Sequence, residues 1–183
     1  MKRIALLTIF CPLFTFGQKI NEDTLSFFYS DIVAVDSIPA QVLQSRARLF
    51  LTENFKSAKD VIQIDDKDGG IIVGKGSFIP VFKSTGLGSA LTSRGFVKFY
   101  LKLQFKDGKF KYTFSDFVHV SDDGESTYGG SLANKKPQCG YFGLARPYWH
   151  QIKSYTDTNV IDLIDRLIRT MRSSELNGKS NSF

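Results

Sequence analysis

The chain has 183 residues, of which 42% are hydrophobic and 14% aromatic, with 17 phenylalanines; that composition excludes a disordered or low-complexity protein and supplies enough apolar surface for one proper core. Its 24 basic and 18 acidic residues leave a formal charge of +6, an excess too mild to define a polyanion-binding protein by itself. In chain order, Met1 to Gln18 reads first, as a cleavable export signal. Lys2 and Arg3 form a basic start, Ile4 to Phe16 is an almost unbroken apolar run, and Thr15 and Gly17 are small residues ahead of Gln18. Cleavage near Gly17-Gln18 makes residues 1–17 a signal peptide and gives an exported product, periplasmic or secreted. It removes Lys2 and Arg3, so 22 basic residues remain against 18 acidic, a net of +4. Cys11 leaves as well; Phe10 precedes it where a lipidation signal needs a small residue. Cys139 is then the only cysteine, and no internal disulfide can form. No later segment reaches the roughly 20 apolar residues of a membrane-spanning helix.

From Phe27 to Val35 the chain has strand character, with Val33 and Val35 on one side and Ile32 and Ala34 on the other. Ser37-Ile38-Pro39 predicts a helix start, with Ser37 available as a cap. Leu43, Ala47, Phe50 and Leu51 form its apolar stripe, while Arg46, Glu53 and Lys56 fall outside. Val61 to Asp65 predicts a second strand, Asp66-Lys67-Asp68-Gly69 a turn, and Gly70 to Lys83 a third strand. The clearest signal follows. Val97 to Phe105 alternates with every odd position apolar, and Asp107-Gly108 closes a two-residue hairpin. That register sets Phe105 opposite Phe110, Leu103 opposite Tyr112, Leu101 opposite Phe114 and Val97 opposite Val118. Lys98, Tyr100, Lys102, Gln104, Lys111, Thr113, Ser115, Phe117 and His119 then share the other face. Asp116 lands on the apolar face opposite Phe99, so a bulge or a specific hydrogen bond is expected there. Ser121 to His150 reads as a long, Gly-rich loop. A last helix begins near Thr156 to Thr158, with Val160, Ile164, Leu167, Ile168 and Met171 on its stripe and Asp162 and Asp165 each four residues before an arginine. Ser173 to Phe183 reads as a frayed tail, and residues 18–172 as one domain.

Several short motifs occur in a fixed order: Arg46-Ala47, Val61-Ile62-Gln63, Gly74-Lys75-Gly76, Lys106-Asp107-Gly108-Lys109, Tyr112, Phe114 to Phe117, and Trp149 ahead of the last helix. In that order they resemble an exported domain of unknown function, typical of Bacteroidetes, that carries a TBP-like fold. The resemblance spans most of the chain after the signal. It departs at Leu43, where an aromatic Tyr is expected, and at Ser84 to Arg94 and Ser121 to Pro137, which follow no family pattern. What it implies is an α+β fold: a curved antiparallel sheet in β-α-β-β-β-β-α order with two helices packed on one face. It implies no activity, since function belongs to sites and not to folds.

Candidate sites follow from residue chemistry. Lys98, Lys102 and Lys111 surround Tyr100 and Phe117 on the strand face opposite the core. Basic residues among aromatics bind polyanions such as an acidic glycan, but lysines on an exposed strand also keep sheets soluble. Arg146, Trp149 and His150 offer a guanidinium, a ring and an imidazole that together suit an anionic or sugar-like ligand; the alternative places Trp149 in the core beneath the last helix. His119 and His150 are the only imidazoles available to a hydrolase or transferase, and Cys139 the only thiol. Gly74-x-Gly76 lacks the strand-to-helix setting of a phosphate loop and is expected to allow a bend or a close helix approach. Asp65, Asp66 and Asp68 miss the calcium-loop pattern at Ile64 and Lys75, and Asp122, Asp123 and Glu125 read as a solvated turn. No cofactor, metal or catalytic set is expected. The expected role is a non-enzymatic, exported module that binds a protein or an envelope component, without specific nucleic acid binding.

Overall fold

The computed structural model describes residues 27–55, 61–81, 95–122 and 127–173. The expected export signal, the tail beyond Ser173, Lys56, Lys83 to Arg94, and Asp123 to Glu125 lie outside the described residues. The elements are β1 (Tyr29–Ala34), α1 (Ala40–Asn54), β2 (Ile62–Asp66), β3 (Ile71–Phe78), β4 (Phe96–Lys106), β5 (Lys109–Val120), β6 (Gly130–Ser131), α2 (Gly140–Gly143) and α3 (Arg146–Arg172). The strands form one antiparallel sheet in the order β1-β5-β4-β3-β2, with β6 pairing the far half of β5. Both long helices pack on one face, and the class is α+β.

Alternation decides the hairpin. Phe105 stands opposite Phe110, Leu103 opposite Tyr112 and Leu101 opposite Phe114, as the Asp-Gly turn dictates. Beyond Tyr100 the expected register fails: Val97 faces His119, not Val118. The cause is a bulge at Asp116, whose φ of 57° is left-handed. Two residues of β5 there oppose Phe99 alone. The carboxylate turns out to solvent and accepts a 2.7 Å bond from the Ser115 hydroxyl. One extra residue reverses every later side chain, so Phe117 and His119, expected on the open face, are each 2% exposed on the core side. Phe117 stacks on Phe99 with ring centroids 5.4 Å apart.

The helices show three further departures. Ser37 does not cap α1; it holds a φ of 63°, and Pro39 occupies the cap position without a side-chain bond. Asp107, in the hairpin turn, accepts the Ala40 N–H at 2.8 Å instead. Leu43, Ala47, Phe50 and Leu51 are buried as expected, but Arg46 is buried too, at 2% exposure. Its guanidinium donates to the Met171 carbonyl in the last turn of α3, a group that a helix end otherwise leaves unpaired. Helix α3 starts at Arg146, ten residues before the expected start, with Pro147 in its first turn. Its buried stripe opens Trp149, Ile152, Lys153, Thr156 before reaching Val160. The lysine and threonine in that stretch interrupt the apolar period.

Within the segment expected as a long loop, residues 121–150, the described residues hold β6, α2 and the first turn of α3. Backbone bonds from Gln138 to Gly129 and from Cys139 to Tyr128 fold the segment back on itself. Gly74 and Gly76 face the helices. A Cβ on Gly76 would lie 2.4 Å from the Phe99 ring and 2.7 Å from the Phe55 ring, and one on Gly74 would lie 3.3 Å from Leu51. The close approach of the end of α1 to β3 requires Gly76, and Gly74 leaves Leu51 snug against the strand.

Candidate functional site

Strand alternation sends Ile71, Val73, Lys75 and Ser77 of β3, the even residues of β4, and Lys109 to Ser115 of β5 in steps of two to the face that the helices leave open. Pairing arranges them in rows: Lys75, Tyr100 and Ser115; Val73, Lys102 and Thr113; Ile71, Gln104 and Lys111; Lys106 and Lys109. Six lysines, Lys75, Lys98, Lys102, Lys106, Lys109 and Lys111, thus share three adjacent strands. Among the described residues none of them is ion-paired. Lys98 and Lys102 flank Tyr100 at about 7 Å along β4, and the Lys75 ammonium sits 5.7 Å from the Tyr100 ring centre. Ser30 and Thr113 share a 3.0 Å hydroxyl contact beside them. Ile32 and Ile64 lie at the two margins, 61% and 53% exposed. A basic centre between aliphatic edges can attract and seat an acidic surface.

The sequence placed Lys98, Tyr100, Lys102 and Lys111 here. It missed Lys75, Lys106 and Lys109, whose membership follows from the pairing of β3 with β4 and from the hairpin end. Phe117, expected beside Tyr100, belongs to the core.

The second cluster divides. Trp149 is fully buried in the first turns of α3, and its indole N–H donates to the Asn134 carbonyl at 3.4 Å. Arg146 and His150 remain together at the surface one turn apart, with Arg146 Nε 3.5 Å from His150 Nε2. Lys153 went unnoticed in the sequence. Its ammonium donates to the same Asn134 carbonyl at 2.6 Å and lies 5.3 Å from the Trp149 ring centre; burial pushes its pKa down.

His119 accepts the Gly129 N–H at Nδ1, 3.2 Å away. Burial lowers its pKa and the Asp122 charge partly offsets that, so it is held neutral as a structural acceptor. Burial pushes the Cys139 thiol up, away from the reactive thiolate. Neither imidazole stands against a nucleophile among the described residues. Arg48 and Asp65 form a bidentate pair at 2.7 and 2.8 Å between α1 and β2, which depresses the Asp65 pKa. That commits Asp65 to structure, and among the described residues no group of acids, histidines and cysteines is set to hold a metal.

An antiparallel sheet backed by two helices, with its second face open, defines an α+β protein of the TBP-like class. A solved TBP-like protein from Parabacteroides distasonis superposes with a TM-score of 0.60, covering 80% of this chain and 92% of that one at 12% identity. A DUF4468 family protein from Bacteroides ovatus superposes with a TM-score of 0.52, covering 77% and 85% at 17% identity. The model of the domain of unknown function DUF4468, with TBP-like fold, matches residues 29–120, and the chain belongs to that family. No curated protein matches it. The solved neighbours speak for the fold alone.

Proposed function

We propose that this chain is an exported, non-enzymatic binding module of the cell envelope, and that its contact surface is the open sheet face, which takes an acidic partner. The observation that carries this reading is the concentration of charge. A net formal charge of only +6 hides six lysines on one face of three adjacent strands. Solubility alone does not call for so one-sided a distribution, whereas steering of an acidic surface does. The buried, neutral His119 and the raised Cys139 thiol lend no support to a hydrolase or transferase. Export rests on the signal-like first seventeen residues, and N-terminal sequencing of the protein from periplasmic and culture fractions should begin at Gln18.

The binding test is retention of the mature protein on an acidic polysaccharide matrix. Elution is expected to need added salt, because exposed charges are screened within about 10 Å at 0.1 M ionic strength. Changing Lys98, Lys102 and Lys111 to Gln should move elution to lower salt. Retention identical to the parent protein would end this reading.

A further inference from the structure

At one end of the sheet β3 outruns its neighbour. Strand β2 pairs it only from Ile71 to Gly74, and past that point a cleft of about 650 Å³ opens between the end of α1, β3 and the start of β4. That volume lies in the range of small-molecule sites. Its wall is apolar: Phe55, Val61, Phe78, Ile79 and Phe96. The wall is also braced from behind. The Phe55 and Phe78 rings lie 6.0 and 5.9 Å from Phe99, and Phe78 lies 5.9 Å from Tyr155 of α3. Gly76 contributes to the lining, and a side chain there would strike Phe55. The glycine therefore leaves room between the strand and that ring.

Two ammonium groups border this wall. Lys75 and Lys98 come from adjacent strands, Lys98 pairing with Ser77 two residues beyond Lys75, and neither is ion-paired among the described residues. Among the described residues of the lining Asp122 is the single carboxylate, against these two ammonium groups. An apolar wall beside two unpaired cations selects a molecule with both characters.

We infer that this cleft binds an amphiphilic anion: a single carboxylate, or a head of like charge, held between Lys75 and Lys98, with a hydrocarbon tail laid along Phe55, Phe78, Phe96 and Ile79. The inference does not depend on the acidic partner of the wider sheet face, because Lys102, Lys106, Lys109 and Lys111 lie outside the cleft.

The test is calorimetric titration of the full mature protein with dodecanoate below its micellar concentration, beside dodecanol and dodecyltrimethylammonium. Saturable binding of one dodecanoate per chain is expected, at least tenfold tighter than either control. Lys75→Gln with Lys98→Gln should weaken dodecanoate at least tenfold and leave dodecanol unchanged. Ile79→Asp, at a side chain 60% exposed and so harmless to folding, should weaken both. Lys102→Gln with Lys111→Gln should change neither, although it weakens retention on the acidic matrix. Absence of saturable binding, equal binding of the cationic amphiphile, or indifference to both cleft variants would overturn the proposal.

Discussion

The two faces of the sheet are made by the same strands, yet different rules decide what stands on each. On the helix side, geometry is tight: Phe99, Phe114 and Phe117 are essentially sealed, Gly76 leaves no room for a larger residue, and one bulge resets the pattern to bring Phe117 and His119 inward. On the open side no such packing constraint acts, and water accepts the lysines that recur there. One face is held by packing and the other is free to be selected for contact. The contrast separates substitutions that unfold the protein from those that alter only what it binds.

The sharpest way to break this contrast is Phe114→Ala on the sealed face, expected to cost about 3–5 kcal/mol in denaturant melts; a loss below about 1 kcal/mol would place the hairpin the other way up. Gly76→Ala is next. Overpacking against Phe55 and Phe99 should cost about 1–3 kcal/mol, and a neutral result would show that the rings yield freely. Asp116→Val should lose about 1–2 kcal/mol because a β-branched residue must hold a left-handed φ, whereas Asp116→Gly should keep the parent stability.

A change of pH probes the same face through His119. Its pKa lies below the ordinary 6.5 in the fold, so above that pH both states are neutral and stability is complete. As pH falls below 6.5 the unfolded chain takes up a proton that the fold resists. Stability should fall through that window and level off below the depressed folded value. Urea melts from pH 7.5 to 4.5 should show this slope, flattened in His119→Gln; equal slopes would remove His119 from the explanation. Smallest of all, Lys102→Gln with Lys111→Gln should shift stability by no more than about 0.5 kcal/mol while reducing retention on the acidic matrix.

How much of this was legible in the sequence follows the same division. The hairpin was readable because alternation and an Asp-Gly turn are local signals that agree with each other. Asp116 announced its own misfit, but the reversal of Phe117 and His119 depends on a backbone event that side-chain pattern does not encode. Arg46 falls outside the core in the sequence reading, and Lys153 goes unnoticed, because a helical stripe is counted in apolar residues. Their charges are carried by carbonyls at Met171 and Asn134, far away or on an irregular segment. The start of α3 was obscured for a related reason, since Lys153 and Thr156 interrupt its stripe. Of the site, four residues on β4 and β5 were visible, while Lys75 and the cleft behind it required the pairing of strands that are not neighbours in a simple hairpin.

The Arg46 contact carries a consequence for how the molecule comes into being. Its acceptor lies 125 positions later in the chain, and the Tyr29 hydroxyl bonds Asp157 across 128 positions. The Tyr29 bond needs the first half of α3, and the Arg46 bond needs nearly all of it. The first strand and first helix must therefore wait for the last helix, and the Arg46 clasp, whose acceptor lies in the last turn of α3, is the later of the two to become possible.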